Sequence, residues 1–182
     1  MAETLHCDVA IIGAGTAGLA AQSAVHAAGG KALLIDPYFA GTTCATVGCM
    51  PSKLLIAASH AAHGARTTDM FGVRVPTVSI DGKAVMQRVR DERDRFARLT
   101  RENIQDLPDD VRMQARARFI GANRLALDNG QEVEARSIVI ATGSSPFVPD
   151  AFAGLGDRML TNETIFDLED LPNRLAVIGS GS

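Results

Sequence analysis

Residues 13–18, Gly-Ala-Gly-Thr-Ala-Gly, restrict the fold of this chain more than any other stretch. Three glycines in six residues suit a place where backbone turns tightly or packs against another backbone. The flanks narrow the choice. Cys7-Asp8-Val9-Ala10-Ile11-Ile12 is short, apolar and β-branched, the pattern of a buried strand. Leu19 to Ala28 is Ala-rich and helical, and Gly29-Gly30 is a helix stop. Lys31-Ala32-Leu33-Leu34-Ile35-Asp36 is a second strand ending on an acid. Strand, glycine turn, helix, strand and acid in about thirty residues is the dinucleotide-binding βαβ unit of an α/β, Rossmann-like fold. Gly13 permits the turn, Gly15 lets backbone approach a pyrophosphate, and Gly18 lets the helix pack on the strand. The helix N-terminus offers N–H groups to phosphate, and Asp36 accepts from ribose hydroxyls. The acid does not separate NAD from FAD, because both carry an adenosine ribose.

Composition excludes several classes. A net charge of −3 gives no reason to expect a nucleic-acid partner, and no apolar run approaches the ~20 residues of a membrane helix. The N-terminus has no basic n-region or apolar h-region of a signal peptide, so a cytoplasmic location is expected. Three cysteines cannot build a multi-bridge secreted framework. Cys7 lies in the first strand and is expected to be a buried small apolar residue.

Cys44 and Cys49 are the chemical question. They lie in Gly41-Thr42-Thr43-Cys44-Ala45-Thr46-Val47-Gly48-Cys49-Met50-Pro51-Ser52-Lys53, ahead of a helix over Leu54 to Ala65. On a regular helix their Cα atoms would be roughly 8–9 Å apart, beyond the ~7 Å limit for a disulfide. Pairing therefore needs an irregular stretch, which Thr42-Thr43 and Gly48 can supply. If the helix starts near Cys49, its dipole favours that thiolate, and Pro51 suits the first turn. Cys44 is then freer to meet a substrate. A zinc reading, with Cys44, Cys49, His60 and His63 as ligands, stays open here, as does a nucleotide-binding module without redox chemistry.

Farther on, Lys83 to Leu107 is a charged helix with Val85, Val89, Phe96 and Leu99 at helical spacing. Val111–Ile120, Arg124–Asp128 and Gln131–Ala135 predict short strands of a small β-meander. Asn129-Gly130 is a hairpin turn in which both positions tolerate positive φ. Ser137 to Ser144 predicts a buried strand running into a small-residue turn. Leu175-Ala176-Val177-Ile178 followed by Gly179-Ser180-Gly181 predicts a second strand opening a second glycine turn. The expected organisation is a nucleotide-binding domain over residues 1–150, with a parallel sheet. Residues 151–182 are expected to be a connector plus the first strand of a second nucleotide-binding domain, truncated there.

The succession Gly13-x-Gly15-x-x-Gly18, Asp36, Gly41-Thr42-Thr43-Cys44, Cys49-Met50-Pro51-Ser52-Lys53, Ala141-Thr142-Gly143 and Val177-Ile178-Gly179-Ser180-Gly181 resembles the class I pyridine nucleotide–disulfide oxidoreductases. Within that family it is most similar to the dihydrolipoyl dehydrogenases, with mercuric reductases and other disulfide reductases as the alternatives. The resemblance covers this whole chain but under half of such an enzyme. It implies that Gly13, Gly15, Gly18 and Asp36 bind the ADP half of FAD. It implies that Thr42, Thr43, Lys53, Thr142 and Gly143 flank the cofactor, that Ala117 meets the adenine side through backbone, and that Gly179 and Gly181 serve NAD. Cys44 and Cys49 would form the redox disulfide, with Cys49 next to the flavin and Cys44 exchanging with a small-molecule or lipoyl-domain dithiol. A homodimer is implied, because the family's catalytic His–Glu pair comes from a C-terminal domain of the partner subunit. None of His6, His26, His60 or His63 matches that motif, so these 182 residues alone are expected to lack NADH–lipoamide turnover. Two positions depart from the pattern: Thr42 where glycine is usual, and Asp36 where glutamate is usual.

Overall fold

The structure, a computed structural model, describes residues 4–179. Its sheet has six strands: β1 (Thr4–Ile12), β2 (Ala32–Ile35), β3 (Arg112–Met113), β4 (Ala117–Gly121), β5 (Arg124–Leu127) and β6 (Glu132–Ile140). Their spatial order is β3-β2-β1-β6-β5-β4. β3, β2, β1 and β6 run parallel, while β5 and β4 are antiparallel additions. The α/β architecture expected from the glycine turn is therefore present, with a mixed sheet that includes the meander.

β2 is buried at all four positions, as a central parallel strand must be. Its side chains alternate between two cores. Ala32 and Leu34 join Ile11 and Ala14 on the face covered by helix α1 (Thr16–Ala27), where Leu19 and Val25 pack. Leu33 and Ile35 join Ala10, Ala115, Leu125, Leu127, Val133 and Ala135 on the other face. Helix α1 stops as its sequence predicts. Gly29 takes φ +75°, its N–H donates to His26 O, and Gly30 N–H donates to Val25 O.

Chain reach explains how the meander covers the second face. Only three residues separate β3 from β4, so four peptide steps span at most about 14 Å. β3 and β4 are opposite edges of the sheet, five strand spacings or about 24 Å apart if it were flat. The sheet must curl until its edges approach, which places Leu125, Leu127 and Val133 over Leu33 and Ile35. This corrects the expectation of one strand over 111–120. Buried Ala115 sits at the crossing between two short strands. Conversely, the strands expected at 131–135 and 137–144 are one, β6. Its Arg136 does not break the strand, because the guanidinium meets Asp8 Oδ1 on β1 at 3.4 Å. At the 128–130 hairpin only Gly130 adopts positive φ, +88°. Gly130 N–H donates to Leu127 O, the closure of a type I turn followed by a left-handed glycine.

By backbone contacts the chain forms two compact units. One takes residues up to Thr46 with Arg95–Phe147 and holds the sheet; the other takes Val47–Asp94 with the residues from Val148 onward. The second contains helix α3 (Cys49–Arg66), the first half of helix α4 (Gly82–Gln105), and 3-10 segments at Asp150–Arg158 and Ile165–Asp167. There Arg93 donates to Asp167 Oδ1 at 2.5 Å, Arg90 donates to Leu168 O, and Asn162 donates to Val47 O at 3.2 Å. The buried positions of α4 are Met86, Val89, Ala97 and Ile104; Leu99, expected among them, is exposed. Residues 175–178 form no strand and are exposed, since an apolar run becomes a strand only beside a pairing neighbour.

Candidate functional site

In an open α/β sheet, ligands meet the crevice outside the carboxyl ends of the strands where the connections diverge. Here that point lies between β1, whose chain continues to β2 on one side, and β6 on the other. The glycine turn fills it. Gly13 takes φ +103°, and an added Cβ would lie 2.4 Å from Ala141 O and 3.1 Å from Thr142 Cα. At Gly18 an added Cβ would lie 1.8 Å from Gly13 O. Gly15 differs: nothing lies within 4 Å of an added Cβ, and its φ of −75° is open to any residue. Space above Gly15 is therefore free for a ligand, whereas Gly13 and Gly18 are filled by the protein itself. Gly15 is the N-cap of α1, with no side-chain cap and no acid in the first turn. The first N–H groups of α1 have no intrahelical acceptor and form the positive end of its dipole, with no acid among the first-turn residues. A dinucleotide phosphate fits that gap. Thr142 and Gly143, expected near the cofactor, are exposed in the turn against Gly13, and Gly143 takes φ +71°.

Asp36 follows β2 directly. Its Oδ2 accepts from Ala14 N–H at 2.9 Å, and its Oδ1 accepts from Tyr38 and Phe39 N–H at 2.9 and 2.8 Å. One carboxylate thus fixes both the glycine turn and the next loop, where Phe39 is held at φ +47°. Tyr38 is 68 % exposed. The Arg116 guanidinium lies over its ring, 5.4 Å from the centroid, and donates to its hydroxyl. Gln114 donates to Pro37 O at 3.2 Å, and Arg116 N–H donates to Asp128 Oδ1 at 2.9 Å. Half-buried Ala117 starts β4 next to Arg116. The sequence reading missed Tyr38 and Arg116. The available signal was Asp36-Pro37, a turn-forming pair that starts the Asx turn.

Thr42 explains its own departure from the family pattern. Its Oγ1 accepts from Ala45 N–H at 3.2 Å, and its carbonyl accepts from Thr46 N–H at 3.1 Å. It caps the one-turn helix α2 (Thr43–Thr46). Glycine is not needed for conformation at 42, since positive φ occurs at Gly41, +103°. Thr43 is exposed and Cys44 is half-buried on α2. In the second unit, Cys49 is exposed and is the first residue of α3, with Gly48 as N-cap. Pro51 is buried in that first turn, and Ser52 N–H makes the i→i−4 bond to Gly48 O. The cysteines therefore sit on two separate helices, as an irregular stretch requires. Lys53 is exposed on α3, and Gly179 is exposed with φ +100°. Gly181 lies outside the described residues.

The zinc reading fails on helix geometry. Cys49 and His60 lie on one continuous helix, about 16 Å apart along its axis, whereas ligands at ~2 Å from a metal must converge. Among the described residues no three His, Cys, Asp or Glu side chains could hold a metal ion. Cys7, expected to be buried, is half-buried; burial pushes its thiol up, with the Lys31 charge opposing and the Asp8 charge adding to it. No described helix is long and apolar enough to cross a membrane.

Residues 7–182 match the family profile described as pyridine nucleotide-disulphide oxidoreductase. Among curated relatives, a dihydrolipoyl dehydrogenase of Chlamydia trachomatis is 34 % identical, over 96 % of this chain and 38 % of the relative. A mercuric reductase of Bacillus cereus is 31 % identical, over 96 % of this chain and 27 % of the relative. The chain thus spans about two fifths or less of those proteins. The fold is also similar to a Cu(II) complex of the HOCl-induced flavoprotein disulfide reductase RclA from Escherichia coli. The TM-score is 0.65 and the identity 24 %, covering 91 % of this chain and 34 % of that one.

Proposed function

Because the chain belongs to the pyridine nucleotide-disulphide oxidoreductase family, we propose that it is the FAD-binding part of a dihydrolipoyl dehydrogenase-type enzyme. The observation that supports this most is the uncovered Gly15 at the start of an uncapped, acid-free helix, followed in sequence by the Cys44–Cys49 segment. In this reading residues 1–150 form the FAD domain and residues 151–182 lead into an NAD domain. When bound, FAD supplies the two-electron couple between the dithiol and the nicotinamide. The chain's own residues do the following. Gly13 and Gly18 keep the turn tight against β6 and α1, Gly15 admits the pyrophosphate, and Thr42-Thr43 and Thr142-Gly143 border the cofactor. Lys53 adds a cation near it. A Cys44 thiolate attacks one sulfur of a disulfide substrate, forming a mixed disulfide and releasing a substrate thiolate. Cys49 then attacks Cys44 Sγ, forming Cys44–Cys49 and releasing the second thiol; dithiol oxidation runs the same exchange backwards. Gly179 and Gly181 belong to the NAD site, and the working enzyme is a homodimer.

The test is a thiol and flavin count on the purified protein. One FAD per chain, and two more titratable thiols after two-electron reduction, are expected. Loss of that gain in both Cys44→Ser and Cys49→Ser supports the redox disulfide. Turnover of lipoamide but not Hg(II) by a longer protein that carries this segment together with the NAD and dimerisation domains supports the dihydrolipoyl dehydrogenase type. Turnover of Hg(II) instead selects the mercuric reductase alternative. A flavin-free protein refutes both.

A further inference from the structure

We propose that the cavity at the amino ends of β2 and β3 is a second ligand site, for a free α-amino acid with a neutral, hydrogen-bonding side chain. The cavity measures about 490 Å³, within the usual range of small-molecule sites. It lies at the opposite end of β2 from the glycine turn, so a dinucleotide held at that turn does not account for it. Its most telling wall residue is Gln22. One turn after Gly18 on the buried side of α1, Gln22 is only 7 % exposed. Leu19, Ala21 and Val25 around it are apolar and pack against the core. Among the described residues its carboxamide makes no hydrogen bond, although a buried amide offers two donors and an acceptor that need partners. A hydrocarbon at 22 would complete the stripe; a carboxamide bordering a cavity suits a ligand that both donates and accepts.

The rim carries charge of both signs. Lys31, at the start of β2, and Asp110, in the connection from α4 to β3, both border the cavity and are exposed. Among the described residues neither forms an ion pair, with the other or with a third group. A molecule with a carboxylate and an ammonium on one carbon satisfies both. A simple carboxylate would leave Asp110 as a like charge beside it. Leu107, Pro108 and Val111 add an apolar wall that suits a short carbon stem, and His26, one turn beyond Gln22, adds an imidazole. The walls are set before binding. Val111 N–H donates to Pro108 O at 3.0 Å, Val111 O accepts from Leu34 N–H at 2.7 Å, and Lys31 N–H donates to Asp8 Oδ2 at 2.8 Å. Such pre-ordering lowers the entropy lost on binding.

The probe is L-glutamine, and the control is L-leucine, which has the same charged groups and an apolar end. Calorimetry on the 182-residue chain should give one L-glutamine site, about tenfold tighter than L-leucine, with the same affinity whether or not FAD is present. Gln22→Leu should remove that preference. Its melting temperature should be no lower than wild type, because an unpaired buried amide is exchanged for hydrocarbon. Lys31→Ala and Asp110→Ala should each weaken L-glutamine about fivefold and leave FAD affinity unchanged. Both side chains are exposed, so far-UV circular dichroism should stay native. Displacement of L-glutamine by FAD, equal affinities for the two amino acids in wild type, or wild-type affinity in both Lys31→Ala and Asp110→Ala overturns the proposal. A chain that binds FAD but neither amino acid also overturns it, and leaves the cofactor site standing.

Discussion

Replacing Gly18 and Gly15 separately by Ala should produce opposite defects, although both belong to one motif. At Gly18 the new Cβ would sit 1.8 Å from Gly13 O, against an ordinary contact of 3.4 Å or more. Something must move by roughly 1.5 Å, and the atom in the way is a backbone oxygen. Gly13 cannot yield easily. Its N–H is bonded to Ile35 O at 2.8 Å, and its own Cα lies tight against Ala141. Overpacking of this kind costs ~1–3 kcal/mol or more, and the helix propensity of Ala returns at most about 1 kcal/mol. A net loss of about 2 kcal/mol lowers the melting temperature of a chain this size by about 4–8 °C. At Gly15 nothing lies within 4 Å and the backbone angles suit any residue, so the loss is under about 1 kcal/mol, from the poorer N-cap. Its methyl group instead occupies the phosphate's approach, and FAD affinity should fall at least about tenfold, ~1.4 kcal/mol. Thermal circular dichroism of the ligand-free chain and flavin fluorescence titration read the two effects. A Gly18→Ala chain as stable as wild type, or a Gly15→Ala chain that binds FAD normally, would refute the geometric assignment.

Other consequences are simpler to test. At pH 8, iodoacetamide should label exposed Cys49 well before Cys7, whose thiol is pushed up by burial; equal rates by mass spectrometry would contradict the packing of β1. The Asp8 carboxyl is held below its usual value by Lys31 N–H at 2.8 Å and then by Arg136. Its stabilising contribution is present above the unfolded pKa of about 3.9 and is lost as pH falls through the lower native value. Asp8→Asn should therefore flatten the acid limb of stability below about pH 4, and an unchanged limb would count against that bond. Burial opposes the charge on Arg93, but its bonds to Asp167 and Asp94 outweigh this and hold it above its usual value. Because Asp167 is 62 % exposed, Asp167→Asn should cost only about 1 kcal/mol. Faster hydrogen exchange over 165–168 would show the loss locally, and unchanged exchange would argue against it.

What the sequence revealed, and what it hid, follows from the range of the forces involved. The βαβ unit was legible because its constraints are local. Gly13 needs positive φ, Gly29 stops α1, and β2 is apolar throughout because it is covered on both faces. The start of α3 at Cys49 was legible for the same reason, from Gly48 and Pro51. The curled meander was not, because splitting 111–120 between two sheet edges depends on partners in β2 and β5. Leu99 fitted the helical period but faces solvent, since the period selects a stripe without fixing which neighbour covers it. Asp36 was legible as the acid that ends the second strand. Its bonds from Tyr38 and Phe39 N–H follow from the local Asp36-Pro37 turn, whereas the bond from Ala14 N–H, 22 residues back, depends on how the glycine turn and β2 pack and is not encoded locally.

The central claim is that Cys44 and Cys49 are unequal partners beside a flavin. The most direct measurement is the absorption spectrum of the protein with its FAD during stepwise dithionite reduction. A long-wavelength band after two electrons, lost in Cys49→Ala and kept in Cys44→Ala, is the predicted result. A flavin that reduces without the band in wild type, or a band that survives in Cys49→Ala, would contradict the claim.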